Sequence, residues 1–81
     1  MSQPALPRYE YYQGPKRLPD LWALGRSGLT LRCEIATHRL GWELKLSAGA
    51  NRLRTQVCKG EAEVHKTSDA WKTEATGQGW A

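Results

Sequence analysis

Leu29-Thr30-Leu31-Arg32-Cys33-Glu34-Ile35-Ala36-Thr37-His38 is the stretch on which the fold turns. Leu29, Leu31, Cys33, Ile35 and Thr37 alternate with Thr30, Arg32, Glu34, Ala36 and His38. Successive side chains of an extended chain point to opposite faces, so this period of two predicts a strand with one face in a core. Upstream, Leu21 to Arg26 predicts another strand, joined through Ser27-Gly28, a two-residue hairpin signal that tolerates positive φ. Pairing Arg26 with Leu29 sets Trp22 opposite Cys33 and Leu24 opposite Leu31. Downstream, Arg39-Leu40-Gly41 turns the chain into Trp42-Glu43-Leu44-Lys45-Leu46-Ser47, which alternates again. Ala48-Gly49-Ala50-Asn51 forms the next turn, and Arg52 to Cys58 the fourth strand, with Leu53, Thr55 and Val57 expected to face inward. Connections this short enforce an antiparallel meander in the order 1-2-3-4.

After Lys59-Gly60 the period changes. Val64, Trp71 and Ala75 recur at spacings of seven and four, with Thr67 or Ser68 between them, a narrow apolar stripe on a helix from about Glu61 to Thr76. Glu61 and Glu63 suit its first turn, where the dipole favours anions, and Gly77 fits a C-terminal stop. A shorter helix from near Asp69, capped by Thr67 or Ser68, is the alternative. The expected fold class is α+β: a four-stranded antiparallel meander packed on one C-terminal helix, in two layers. Residues 21–81 make this domain. Residues 1–20 read as an irregular arm, because Pro4, Pro7, Pro15 and Pro19 remove backbone donors there. The arm carries Arg8-Tyr9-Glu10-Tyr11-Tyr12, whose rings either pack on the sheet or face a partner. Trp80, after Gly79, is expected to fold back onto the domain edge.

An 81-residue chain is one domain, and it has no Phe and one Met, so its core rests on Leu and four Trp. The net charge of +4 is uneven: residues 1–60 hold ten Lys/Arg against Glu10, Asp20, Glu34 and Glu43, while residues 61–81 hold Lys66 and Lys72 against Glu61, Glu63, Asp69 and Glu74. A basic sheet favours polyanions or acidic protein faces. Pro4, Pro7 and Arg8 interrupt any apolar leader, and no run nears the ~20 apolar residues of a membrane span. Cys33 and Cys58 make no disulfide framework. The expectation is a reduced, cytoplasmic protein without a membrane partner, with the compactness of bacterial and phage-encoded chains.

Alternation places Arg32, Glu34, His38, Glu43, Lys45, Arg52, Arg54 and Gln56 on the outer sheet face. An arginine-rich face can follow a phosphate backbone and read base edges, which makes Arg32, Lys45, Arg52 and Arg54 the candidate nucleic-acid contacts. Glu34 and Glu43 on the same face oppose that role. Cys33, His38, Cys58 and His65 have Cys-x4-His and Cys-x6-His spacings, unlike the close Cys pairs of structural zinc sites, and alternation turns Cys33 and His38 to opposite faces. No metal or cofactor is therefore expected. Cys33 is a core residue, while Cys58, facing the other way at a strand end, is expected to be an exposed thiol. Neither a Gly-rich phosphate loop nor a nucleophile elbow occurs, and the acids are scattered, so no catalytic residue is assigned.

Leu29 to Cys58, with outward Arg32, Arg52 and Arg54 and a following helix, resembles in layout the plant ethylene-response DNA-binding domain and the arm-binding domains of tyrosine recombinases. That resemblance implies DNA contact through sheet residues. The chain lacks those domains' outward Trp and adds Glu34 and Glu43. Gly41-Trp42-Glu43-Leu44 with Trp71 and the closing Gly79-Trp80 is similar to a group of short uncharacterised bacterial proteins, a likeness that implies no activity. The functional expectation is a non-enzymatic binding module of adaptor or inhibitor type. It would touch a protein partner, or a second copy of itself, through Tyr9, Tyr11, Tyr12 and Trp80, since aromatic residues dominate interface hot spots. Nucleic acid is the alternative partner.

Overall fold

The structure is a computed structural model and describes residues 14–81. Four strands and one helix follow in order: β1 (Arg17–Arg26), β2 (Leu29–His38), β3 (Gly41–Ala48), β4 (Asn51–Cys58) and α1 (Glu61–Gly77). The strands form one antiparallel sheet in the order β1-β2-β3-β4, and α1 lies on one face of it. The two-layer α+β meander read from the alternation is thus the observed fold. Ser27 and Gly28, at φ 51° and 78°, make the first hairpin turn with both central residues left-handed, which matches the twist of the strands.

The first strand starts earlier than its composition implied. β1 begins at Arg17, so Arg17 to Asp20 belong to the sheet and not to an irregular arm. Leu18 pairs with Ile35 and Trp22 with Cys33, so four steps on β1 span two on β2. The surplus is a bulge of two residues, an even number, and Leu18 and Trp22 therefore keep the same face. Pro19 sits in this bulge on an edge strand, where its missing N–H costs no ladder bond. Tyr9, Tyr11 and Tyr12 lie outside the described residues.

The core centres on one face of β2 and β3, with Leu18 of β1 and Cys58 of β4 at its sides. Leu31, Cys33, Ile35, Trp42, Leu44 and Leu46 are buried on that face, joined from the helix by Val64, Trp71 and Ala75. Ser68 completes the helix stripe as a buried polar residue. Its hydroxyl is satisfied, because Trp22 Nε1 donates to Ser68 Oγ at 3.0 Å. Thr37 is buried at the other end and accepts from Lys16 N at 2.8 Å. Gly60 has no side chain to cap α1, and Glu63 instead reaches back to accept the Lys59 N–H at 3.1 Å.

The helix runs one residue past the expected Thr76, and its stop lies two residues beyond the expected Gly77. Gln78 is the C-cap, and Gly79, not Gly77, takes the positive φ (95°) that follows a helix. Trp80 N donates to Ala75 O and Gly79 N to Thr76 O, both at 3.1 Å, the paired bonds of a Schellman motif. That motif turns Trp80 back against the core.

Candidate functional site

β4 carries the main correction to the sequence reading. Ser47 pairs with Arg52 but Leu46 pairs with Arg54, leaving Leu53 as one unmatched residue. An odd insertion reverses the facing of everything beyond it. Arg54, Gln56 and Cys58 therefore share the helix face with Leu46, Leu44 and Trp42, while Thr55 and Val57 join Lys45 and Glu43 on the outer face. Leu53 is 56% exposed instead of buried. Cys58, expected to be an exposed thiol, is fully buried.

Arg54 consequently leaves the outer face. Its Nη1 meets Glu74 Oε2 at 2.8 Å, and its guanidinium lies 5.6 Å from the centre of the Trp71 ring. Gln56 Nε2 donates to Thr67 Oγ1 at 3.2 Å. These contacts draw the polar side of β4 to the helix. They bridge the strip where the narrow apolar stripe of α1 runs out.

The outer face keeps Arg32, Lys45 and Arg52, with Arg17 added from the early start of β1. Arg17 meets Asp20 at 3.1 Å and Glu34 at 3.0 Å, and Arg32 meets Asp20 at 3.3 Å. Lys45 meets Glu43 at 3.6 Å, and the Ser47 hydroxyl donates to Glu34 at 3.2 Å. The hydrogen bond to Asp20, then the charges of Glu34 and Asp20, hold the Arg17 proton above its ordinary range. Such exposed pairs add little stability. Their larger effect is to cancel the field a polyanion would feel. Among the described residues only Arg52 of this group makes no ion pair.

The two thiols are inert by position. Burial pushes Cys33 up to about 11, against the opposing hydrogen bond to Ser68, and burial also raises Cys58. A reactive thiol needs the reverse shift. Both cysteines are free, and among the described residues no group of three or more His, Cys, Asp or Glu could hold a metal ion. No helix there is long and apolar enough to cross a membrane.

What the fold does assemble is a groove of about 250 Å³ beside β4, lined by Leu31, Leu46, Leu53, Trp71, Ala75 and Trp80, with the Arg54–Glu74 pair at its wall. Of the proposed contact residues, Trp80 and Arg54 meet here, whereas Arg32, Lys45 and Arg52 lie across the sheet. Sequence reasoning missed Leu53 as a surface residue, because nothing in Arg52-Leu53-Arg54 marks a bulge. The class defined by this geometry is a sheet-plus-helix domain with a groove of mixed polar and apolar lining between the sheet and the end of the helix. No family model, curated protein or solved structure matches the chain.

Proposed function

We propose that this chain is a non-enzymatic binding module of adaptor or inhibitor type that acts by surface contact with a protein partner. The observation that carries the reading is Leu53, a large apolar side chain 56% exposed on an edge strand, beside a groove lined by Trp71 and Trp80. Exposed apolar residues next to aromatic-lined concavities are the usual material of protein interfaces. The outer sheet face supports the choice of protein over nucleic acid. Arg17, Arg32 and Lys45 are matched there by Asp20, Glu34 and Glu43, and Arg54 is engaged by Glu74. The reading also takes the chain to work in the cytoplasm.

A pull-down with the full chain, repeated with Leu53→Asp and Trp80→Ala, tests this. A partner captured by the parent and lost with Leu53→Asp, at unchanged melting temperature, supports the reading. Capture unaffected by both changes removes the groove from consideration. Retention on heparin that falls steeply with salt, with a slope reduced by replacing Arg32 and Arg52, transfers the function to nucleic acid.

A further inference from the structure

The two edges of the sheet are treated differently. β1 is blunted along its length: Pro19 offers no N–H, the bulge between Leu18 and Trp22 breaks the edge, and Ala81 bonds both Gly25 N and Gly25 O, at 3.2 and 3.0 Å. Arg26 Nη1 adds a bond to Gln78 O at 2.8 Å. Proteins blunt edges in these ways to stop stray strand pairing. β4 also carries a bulge, at Leu53, but no other described segment bonds to its outer edge. Among the described residues no backbone hydrogen bond outside the β3 ladder involves residues 51–58, and Asn51 to Gln56 are all exposed. Its eight residues, less the one in the bulge, offer an edge of about 23 Å at roughly 3.3 Å per residue.

We propose that β4 is a docking strand, to which an extended partner segment of alternating acidic and apolar residues adds as a fifth strand. This rests on the protein-binding reading above and specifies its mode. Backbone pairing along an open edge supplies affinity, and pockets for alternate side chains supply specificity. The groove beside Leu53 is placed to take an apolar side chain from the added strand. The charge along the edge selects the rest. Residues 51–59 contain Arg52, Arg54 and Lys59 and no acid. Glu74 already engages Arg54, so Arg52 and Lys59 are the cations left for acids of the partner. A second copy of β4 would set arginine-bearing strands side by side, and like charges across strands are destabilising.

The test uses the full chain and four capped octapeptides: alternating Val and Glu, alternating Val and Lys, the Val-Glu peptide N-methylated at every Glu, and the same peptide N-methylated at every Val. Binding is read by calorimetry and by the fluorescence of the groove tryptophans. The Val-Glu peptide binds at least about tenfold more tightly than the Val-Lys peptide, equivalent to about 1.4 kcal/mol. One of the two N-methylated peptides, the one whose edge-facing N–H groups are blocked, loses a similar factor. Arg52→Glu with Lys59→Glu reverses the Glu-over-Lys preference while leaving the melting temperature in place. No binding, no charge preference, or equal binding of both N-methylated peptides overturns the proposal, as does a dimer in sedimentation that Leu53→Asp dissociates. A cellular partner that survives the double charge reversal and is not displaced by the Val-Glu peptide overturns strand addition but leaves the protein-binding reading intact. Capture of no partner at all removes both.

Discussion

Replacing Gly41 by Ala tests the junction that holds helix to sheet. Gly41 opens β3 at φ 145°, and a Cβ built there lies 2.3 Å from the carbonyl oxygen of Cys58, 3.1 Å from Lys59 Cα and 3.2 Å from Lys59 C. All three are backbone atoms at the end of β4, just before α1 begins. Real Cβ atoms stay at least 3.0 Å away, so the strands must part by the difference of 0.7 Å. A non-glycine residue in such a conformation costs about 1–3 kcal/mol, and forcing an extra methyl into a packed site costs about 1–3 kcal/mol more. The expected loss is therefore about 2–6 kcal/mol. At roughly 0.05–0.15 kcal/mol per residue, an 81-residue domain holds about 4–12 kcal/mol in total. The variant should sit near its unfolding threshold. Urea unfolding followed by tryptophan fluorescence is the assay, and with an m-value of about 1 kcal/mol/M the midpoint falls by about 2 M or more. Gly77→Ala is the internal control: it lies in α1 with nothing within 4 Å of its Cβ position, and it should gain about 0.5–1 kcal/mol. If Gly41→Ala stays within about 1 kcal/mol of the parent while Gly77→Ala behaves as expected, the close approach of Gly41 to Cys58 does not hold the junction as argued.

Two further outcomes follow from the core. Burial holds the Cys33 thiol up to about 11 against an ordinary value of 9.0. Both folded and unfolded chains keep the proton below pH 9, so the contribution is intact there. Above it the unfolded chain ionises first, and stability falls as pH rises toward 11, by roughly 3 kcal/mol at about 1.4 kcal/mol per pH unit. Urea titrations of the parent and Cys33→Ala from pH 8 to 11 isolate this from the lysines and tyrosines; parallel curves refute it. Trp22→Phe removes the bond from Nε1 to Ser68 Oγ, and a double-mutant cycle with Ser68→Ala should give a coupling of about 1 kcal/mol. A cycle that closes with no coupling shows that the pair only touches.

The element types were written in local pattern. The period of two in Leu29 to His38 and Trp42 to Ser47 set the strands, Ser27-Gly28 set the first register, and Val64, Trp71 and Ala75 set the helix. Backbone geometry makes those periods a local property, so residues alone sufficed. The facing of β4 was not local. Leu53, Thr55 and Val57 alternate with Arg54, Gln56 and Cys58, and the local pattern turned the first, more apolar set inward, the reverse of the structure beyond the bulge. The decision fell to contacts distant in sequence: Glu74 and Trp71 for Arg54, and Thr67 for Gln56 and Cys58. One surplus residue at Leu53 let the strand satisfy them. The same holds for the candidate site. Sequence composition placed the aromatic residues and the basic charge in the chain. The bulge, the return of Ala81 to Gly25 and the open edge of β4 exist only because the packed helix and sheet bring those segments together.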